Sequence, residues 1–394
     1  MTKSFPATVK PHLLVWARET SGYALGSAAK KIGISEYKLH DAEAGNQLLT
    51  FRQLKQAANV YKRPLALFFL SDAPPRESSL HDFRLDPATA DSAISPAVNI
   101  EIRRARQRRD EALELAQELD ENVSPFTTTH LSLSDSTDAA AGRISDLIAL
   151  PADAGRSWKD ADTAMKERKA AIEALGVLVF ETSRIPTSEM RGASLPFDRF
   201  PIMLVNGGDA PTGRSFTLMH ELTHLLLRVG GVCDLAPTHG TSDNSRVESF
   251  CNAVAAAVLM PTSQVEQLAP AARAREWTLD ELSDLSQCFR VSREAMLLRL
   301  VTLGRATQQY YFSLRPQFRQ EYLRFKESQK SDGDGGPSPA IMAVRNLGRP
   351  FVRLVLHAYE GDRIGLATAS DYLGVKVRHL DRIREVIAKT DIAA

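Results

Sequence analysis

The chain has 394 residues, with 49 Lys and Arg against 48 Asp and Glu and a formal net charge of +1 at pH 7. That length predicts several domains, and the balanced charge excludes a global field that would recruit nucleic acid or an anionic membrane. Three widely spaced cysteines, Cys233, Cys251 and Cys288, argue against a disulfide framework or a thiolate zinc knuckle. No signal-like core follows Met1 and no apolar run has membrane-spanning length, so a cytoplasmic protein with no membrane partner is expected.

Residues 1–72 read as a helical module. Leu13–Ala17, Leu25–Ile32, Glu36–Ala44, Leu49–Tyr61 and Pro64–Leu70 are its predicted helices. Gly33-Ile34-Ser35 supplies a turn, with Ser35 as the cap of the third helix. Helix, Gly-containing turn, helix is the helix-turn-helix cadence; the bland alternative is a small bundle that binds nothing. Lys30, Lys31, Tyr37, Lys38 and His40 are the candidate DNA contacts. The third helix is acidic for a groove reader, since Glu36, Asp41 and Glu43 share it. Arg52, Lys55, Lys62 and Arg63 add positive charge for phosphates. Docking to a protein is the competing role for this module.

Asp72-Ala73-Pro74-Pro75 closes the module, because adjacent prolines cannot continue a helix. Residues 73–157 read as a helical connector. His81–Arg84 leads into a helix from Val98 to Leu119, whose basic first half (Arg103, Arg104, Arg106, Arg108, Arg109) predicts a solvated face. A helix over Asp138–Ile148 follows. Residues 158–329 read as the next domain, starting with a helix over Trp158–Leu175. Gly176–Glu181 and Pro201–Asn206 are predicted strands, with a short one at Gly192–Leu195 between them. Helices over Ser215–Arg228, Ser245–Met260 and Leu279–Leu303 come next. Lys330–Pro339 is the clearest linker, and 340–394 reads as a small helical C-terminal domain whose Ala367–Ile383 stretch repeats the helix-turn-helix cadence. The fold class is α+β, mostly helical, with an all-α first domain and one small sheet.

Among nine histidines, one pair is spaced i, i+4: His220-Glu221-Leu222-Thr223-His224. Residues four apart share a helix face, so both imidazoles can reach one metal ion. Glu221, about 100° around the helix, is placed for general base and acid work. Phe216, Leu218, Met219, Leu222 and Leu225–Leu227 make this helix apolar nearly all round and hence buried. Burying two His and a Glu there is costly unless a metal takes up their lone pairs. A catalytic zinc needs a third protein ligand. The extended HExxHxxGxxH pattern is absent, with Leu227 and Gly230 at its remaining positions. Glu248 is the favoured candidate, at the start of an Ala-rich helix that can approach the His helix closely, and Asn252 one turn on is placed to support the ligands from behind. A first-turn acid favoured by the helix dipole is the bland reading of Glu248; His239 is the rival ligand. Cys251 reads as a small buried residue.

FTLMHELTHLLL (Phe216–Leu227) followed by ESFCNAVAAAVLMP (Glu248–Pro261) resembles the ImmA/IrrE family of metallopeptidases, with Cys251 where the family has Ala. The Pro201–Asn206 strand and Asp82-Phe83-Arg84 also fit. The resemblance implies a zincin-like domain with zinc held by His220, His224 and Glu248, and Glu221 catalytic. Val9–Leu70 similarly resembles an XRE-type, phage-repressor-like helix-turn-helix domain. The family further implies a protein substrate, a DNA-binding repressor cleaved to release stress, phage or mobile-element genes. The Gly192–Leu195 strand is a candidate to hold extended substrate by backbone pairing. The alternative function is a DNA-binding transcriptional regulator whose metal is structural or sensory.

Overall fold

The computed structural model describes residues 5–75, 81–82, 94–151, 153–229, 231–233, 243–270, 274–331 and 337–392. Its contacts gather the chain into two compact units, Met1–Leu80 with Ala88–Arg104, and His81–Pro87 with Ala105–Ala394. The expected connector is thus divided between the two, and residues 340–394 are grouped with the second.

The first unit holds α1 (Pro11–Glu19), α2 (Leu25–Ile32), α3 (Glu36–Ala44), α4 (Phe51–Tyr61) and the start of α5 (Pro96–Glu118). Gly33, at φ 80°, ends α2, and the Ser35 hydroxyl accepts from the Lys38 N–H at 3.2 Å to start α3. Thr50 and Gln53 form a reciprocal capping box, which is why α4 begins at Phe51 rather than Leu49. Leu14, Trp16, Ala28, Leu39, Leu54 and Tyr61 meet in one core. Arg18 ties α1 to α3 through a two-pronged pair with Glu43, at 2.8 and 2.9 Å. Arg103 donates to the Tyr61 and Lys62 carbonyls at 2.8 and 2.9 Å, so it satisfies the end of α4 instead of lying on a solvated face.

The second unit continues through α6 (Thr137–Ile148), α7 (Ala154–Ser157) and α8 (Ala161–Glu173) to a small mixed sheet. Its strands are β1 (His81–Asp82), β2 (Leu178–Thr182), β3 (Gly192–Leu195), β4 (Ile202–Asn206) and β5 (Gly231–Cys233), in the order β1-β5-β3-β4-β2. β4 runs parallel to β2 and antiparallel to β3, β3 is antiparallel to β5, and β5 is parallel to β1. Among the described residues the sheet has two strands beyond the three predicted. β1 and β5 are too short for an alternating pattern to reveal. β3 is an interior strand: Gly192–Leu195 pairs with Ile202–Val205 on one side, and Gly192–Ser194 with Gly231–Cys233 on the other. Its backbone groups are already spent on the sheet, so it cannot add an extended substrate.

α9 (Pro211–Leu226) and α10 (Asp243–Leu259) pack against each other, α9 also covering β3 and β4. Then come α11 (Thr262–Leu268), α12 (Leu279–Phe289), α13 (Arg293–Thr302) and α14 (Gln308–Ser331). The single helix expected over Leu279–Leu303 is two. Arg290 turns left-handed at φ 54°, and the Ser292 hydroxyl caps α13 by accepting from Ala295 N–H at 3.1 Å. α15 (Pro339–Leu347), α16 (Arg349–Glu360), α17 (Leu366–Leu373) and α18 (Leu380–Ile392) complete the unit, and α15 packs on β2. The main core lies between the sheet, α9 and α10, and includes Met203, Leu218, Leu222, Val254 and Leu300. Each such side chain contributes about 1.5–3 kcal/mol by leaving water. Among the described residues, no helix is long and apolar enough to cross a membrane.

Candidate metal centre

Every residue from Thr217 to Leu226 is buried, so α9 runs through the core rather than over it. Its start is fixed by Asp209. That carboxylate accepts from Ala210 N–H at 2.8 Å, from Tyr322 at 2.8 Å and from Arg191 at 3.0 Å, and its charge favours the helix N-terminus. One α9 face presents His220 and His224 with their rings 4.7 Å apart. α10 brings Glu248 to the same point, and buried Ala255 and Ala257 let the two helices come close.

His220 Nε2 lies 3.4 Å from Glu248 Oε2, His224 Nε2 lies 3.0 Å from Glu248 Oε1, and the two Nε2 atoms are 3.0 Å apart. Ligands about 2.0–2.1 Å from a tetrahedral zinc stand roughly 3.3 Å from one another, so this donor set fits a metal ion. All three side chains are buried, and among the described residues no other cluster of His, Cys, Asp or Glu converges this way. Burial works against charge on Glu248, yet His220 and His224 together hold its carboxyl down at about 2. Burial also lowers the His224 pKa. On His220 the opposing pull of Glu248, Glu221 and Asn252 wins, and its pKa rises. An ionised carboxylate and a neutral imidazole are the states that donate lone pairs to a cation.

Glu221 is fully buried beside these ligands, and a Cβ on Gly192 would fall 2.4 Å from its Oε1 and 2.5 Å from Thr217 Cγ2. A side chain at the first residue of β3 would therefore displace the Glu221 carboxylate or the Thr217 methyl group. Sequence reading missed Gly192 in this role, although an isolated glycine opening a strand signals close approach. Asn252 sits one turn beyond Glu248 and acts on the His220 ring. Cys251 is buried, with its thiol pushed well up by burial, and does not join the donor set. His239, the rival ligand, lies outside the described residues.

Residues 172–301 match the family model of the IrrE N-terminal-like domain, Peptidase_M78. That match supports a metallopeptidase of the IrrE/ImmA type, and the segment contains both α9 and α10. No curated protein matches the chain.

The candidate DNA contacts cluster on the first unit. Lys30, Lys31 and His40 are exposed, Tyr37 is 74% exposed, and Lys38 is half-buried. Arg63 is engaged within the unit, donating to Thr20 at 3.0 Å and lying 4.4 Å over the Trp16 ring.

Proposed function

We propose that the chain is a zinc-dependent endopeptidase that cleaves a DNA-binding repressor and so derepresses stress, phage or mobile-element genes. The observation that carries the enzymatic part is the meeting of three buried donors, with a second buried carboxylate, Glu221, beside them. His220, His224 and Glu248 are the ligands, and Asn252 orients His220. A zinc ion held there supplies a Lewis acid for the peptide carbonyl and for water.

Glu221 takes the proton of the attacking water and delivers it to the departing amine. Its surroundings suit that work. The carboxylate is fully buried, and the Gly192 backbone leaves it room without competing bulk. The resemblance of Val9–Leu70 to a phage-repressor module supports the choice of substrate, since a repressor-like domain can pair with another repressor or share its operator. In this reading Lys30, Lys31, Tyr37, Lys38 and His40 contact DNA, with binding that weakens as salt rises.

Co-expression with repressors encoded near this gene tests the reading. Wild type should cut one of them, and Glu221→Gln should leave it whole while keeping zinc. Cleavage by Glu221→Gln at the wild-type rate would sink the mechanism. A gel shift at low salt with no retarded band would remove DNA from the first unit and leave protein docking.

A further inference from the structure

Three arginines are buried among the described residues of the second unit: Arg168, Arg214 and Arg299. Two of them meet acids, Arg214 lying 2.9 Å from Glu181 and Arg299 3.7 Å from Asp138. Arg168 of α8, 5% exposed, meets none among the described residues. Its Nη2 donates to the Phe289 carbonyl at the end of α12 at 2.8 Å, and its guanidinium stands 5.0 Å from the centre of the Trp158 ring. Its Nη1 is buried with no hydrogen-bond partner among the described residues. Burial alone acts on its pKa and brings it down to about 10. The carbonyl end of a helix supplies only roughly half a negative charge. A buried cation is thus left without a full counter-charge.

Arg168 lines an inner cavity of about 40 Å³. Ser145 of α6 lines it too, and its wall includes Met219 of α9, Val258 of α10 and Phe289. At roughly 10–15 Å³ per water, the space holds about three waters or one carboxylate group. A wider hollow of about 460 Å³ shares Leu150, Pro151, Ala154 and Trp158 with it and adds Asp153 and Arg156. Of the residues flanking the two linings in the chain, only Ala152 lies outside the described ones, and alanine carries no charge. Arg290 holds the α7 wall by donating to the Gly155 carbonyl at 3.1 Å and to that of Trp158. It therefore brings a second cation to the cavity wall rather than an acid.

A water in the cavity would complete the bond at Nη1 but bring no charge. A carboxylate does both, and the guanidinium fork matches its planar oxygens. We infer that the inner cavity binds the carboxylate of a small organic acid, with one oxygen on Arg168 Nη1, the other on Ser145, and the organic part directed to the outer hollow. Met219 precedes His220 on α9, and Val258 shares α10 with Glu248. A ligand in the cavity therefore bears on both helices of the metal centre.

Fluorine NMR titration of the full chain tests the assignment, with fluoroacetate as the probe, fluoroacetamide as its neutral counterpart, and acetate and chloride as competitors. Fluoroacetate should show saturable binding that acetate displaces. Fluoroacetamide should bind at least about tenfold more weakly, because it lacks the charge-assisted bond. Arg168→Met, which keeps a long side chain without its charge, should weaken fluoroacetate binding by about tenfold or more. Ser145→Val, which exchanges the lining hydroxyl for methyl groups, should weaken it by about threefold or more. Arg319→Ala, at an exposed position of α14, should leave it unchanged. Melting curves check that each variant is folded, and if Arg168→Met is not, Ser145→Val decides alone. Four outcomes overturn the inference. No saturable fluoroacetate binding up to about 20 mM would assign Nη1 to a water. Equal binding of fluoroacetamide would remove the charge from recognition, and displacement by chloride as readily as by acetate would make the site one for any small anion. Binding that the folded cavity variants leave unchanged would place the probe elsewhere, the metal centre included.

Discussion

Two buried polar clusters share α9, and they solve the cost of burial in opposite ways. Near the helix start, Glu181 is surrounded by cations of the protein itself: Lys169 at 2.9 Å, Arg214 at 2.9 Å and Arg345 at 3.0 Å. Burial opposes its charge, but Lys169, Arg214 and Arg345 overcome that and bring its pKa to about 2. Two turns on, the carboxylates Glu248 and Glu221 are buried with two imidazoles and no lysine or arginine among the converging donors. The first cluster is neutralised by protein and fastens α8, β2, α9 and α15 together. The second has lone pairs aimed at one point, which a divalent cation answers. Buried charge by itself thus does not mark a site; the source of its counter-charge does.

The largest effect that sharpens this contrast comes from within the second cluster. Glu221→Gln should lower cleavage about 100- to 10,000-fold, because the amide cannot take a proton from water. Metal analysis of the same variant should still find zinc. Glu248→Ala should instead lose the metal, and full zinc retention by Glu248→Ala would take that residue out of the donor set.

Next in size is removal of the first cluster's centre. Glu181→Leu leaves Lys169, Arg214 and Arg345 facing one another without their shared carboxylate, and loss of one partner from a buried network typically costs about 3–5 kcal/mol. Denaturant melts should show that loss, and whatever protein folds should still bind zinc. A cost below about 1 kcal/mol would mean that water, not Glu181, compensates the three cations.

These two clusters were unequally legible in the sequence. His220 and His224 declare themselves because their relation is local: four residues on a helix fix their shared face. The Ser35-capped α3 and the Gly192–Leu195 strand were legible for similar reasons, through a cap and a glycine at the boundary. Glu181 could not be read, since Arg345 lies 164 residues away and no local period links them. β3 was recognised, but its interior position depends on Gly231–Cys233, a strand too short to announce itself. The break at Arg290 was hidden because apolar residues keep their helical spacing through α12 and α13. Glu248 was found only through the Ala-rich character of its helix and a family likeness.

A smaller effect tests the border of the first cluster. Burial pushes the Glu173 carboxyl up to about 7, against the pull of Lys169 and Arg349. Between its ordinary value near 4.5 and about 7, the folded chain holds a proton on Glu173 that the unfolded chain has released. That contribution to stability is complete below pH 4.5 and is lost as pH rises through about 7, up to roughly 3 kcal/mol in all. Glu173→Gln carries no such proton and should remove this part of the decline between pH 5 and 8. Parallel pH–stability curves for wild type and variant would show that Glu173 ionises in the folded chain as it does in the unfolded one.

The smallest expected change reaches the second cluster through the backbone. Gly192 opens β3 where the sheet lies against Glu221, and an alanine there would place its Cβ 2.4 Å from Glu221 Oε1 and 2.5 Å from Thr217 Cγ2. β3 is held on both sides by β4 and β5, so the strand cannot retreat easily and the carboxylate has to move. On the proposed mechanism, a displaced Glu221 loses alignment with the attacking water, at a cost of about tenfold in rate, or 1.4 kcal/mol. Zinc content should not change, because His220, His224 and Glu248 come from α9 and α10 rather than from β3. Gly192→Ala should therefore lower kcat with KM nearly constant. Adding it to Glu221→Gln should cost almost nothing more, since the group it displaces is already disabled. A full tenfold loss in that double variant would mean that Gly192 serves substrate or fold directly, and that the close approach to Glu221 is incidental.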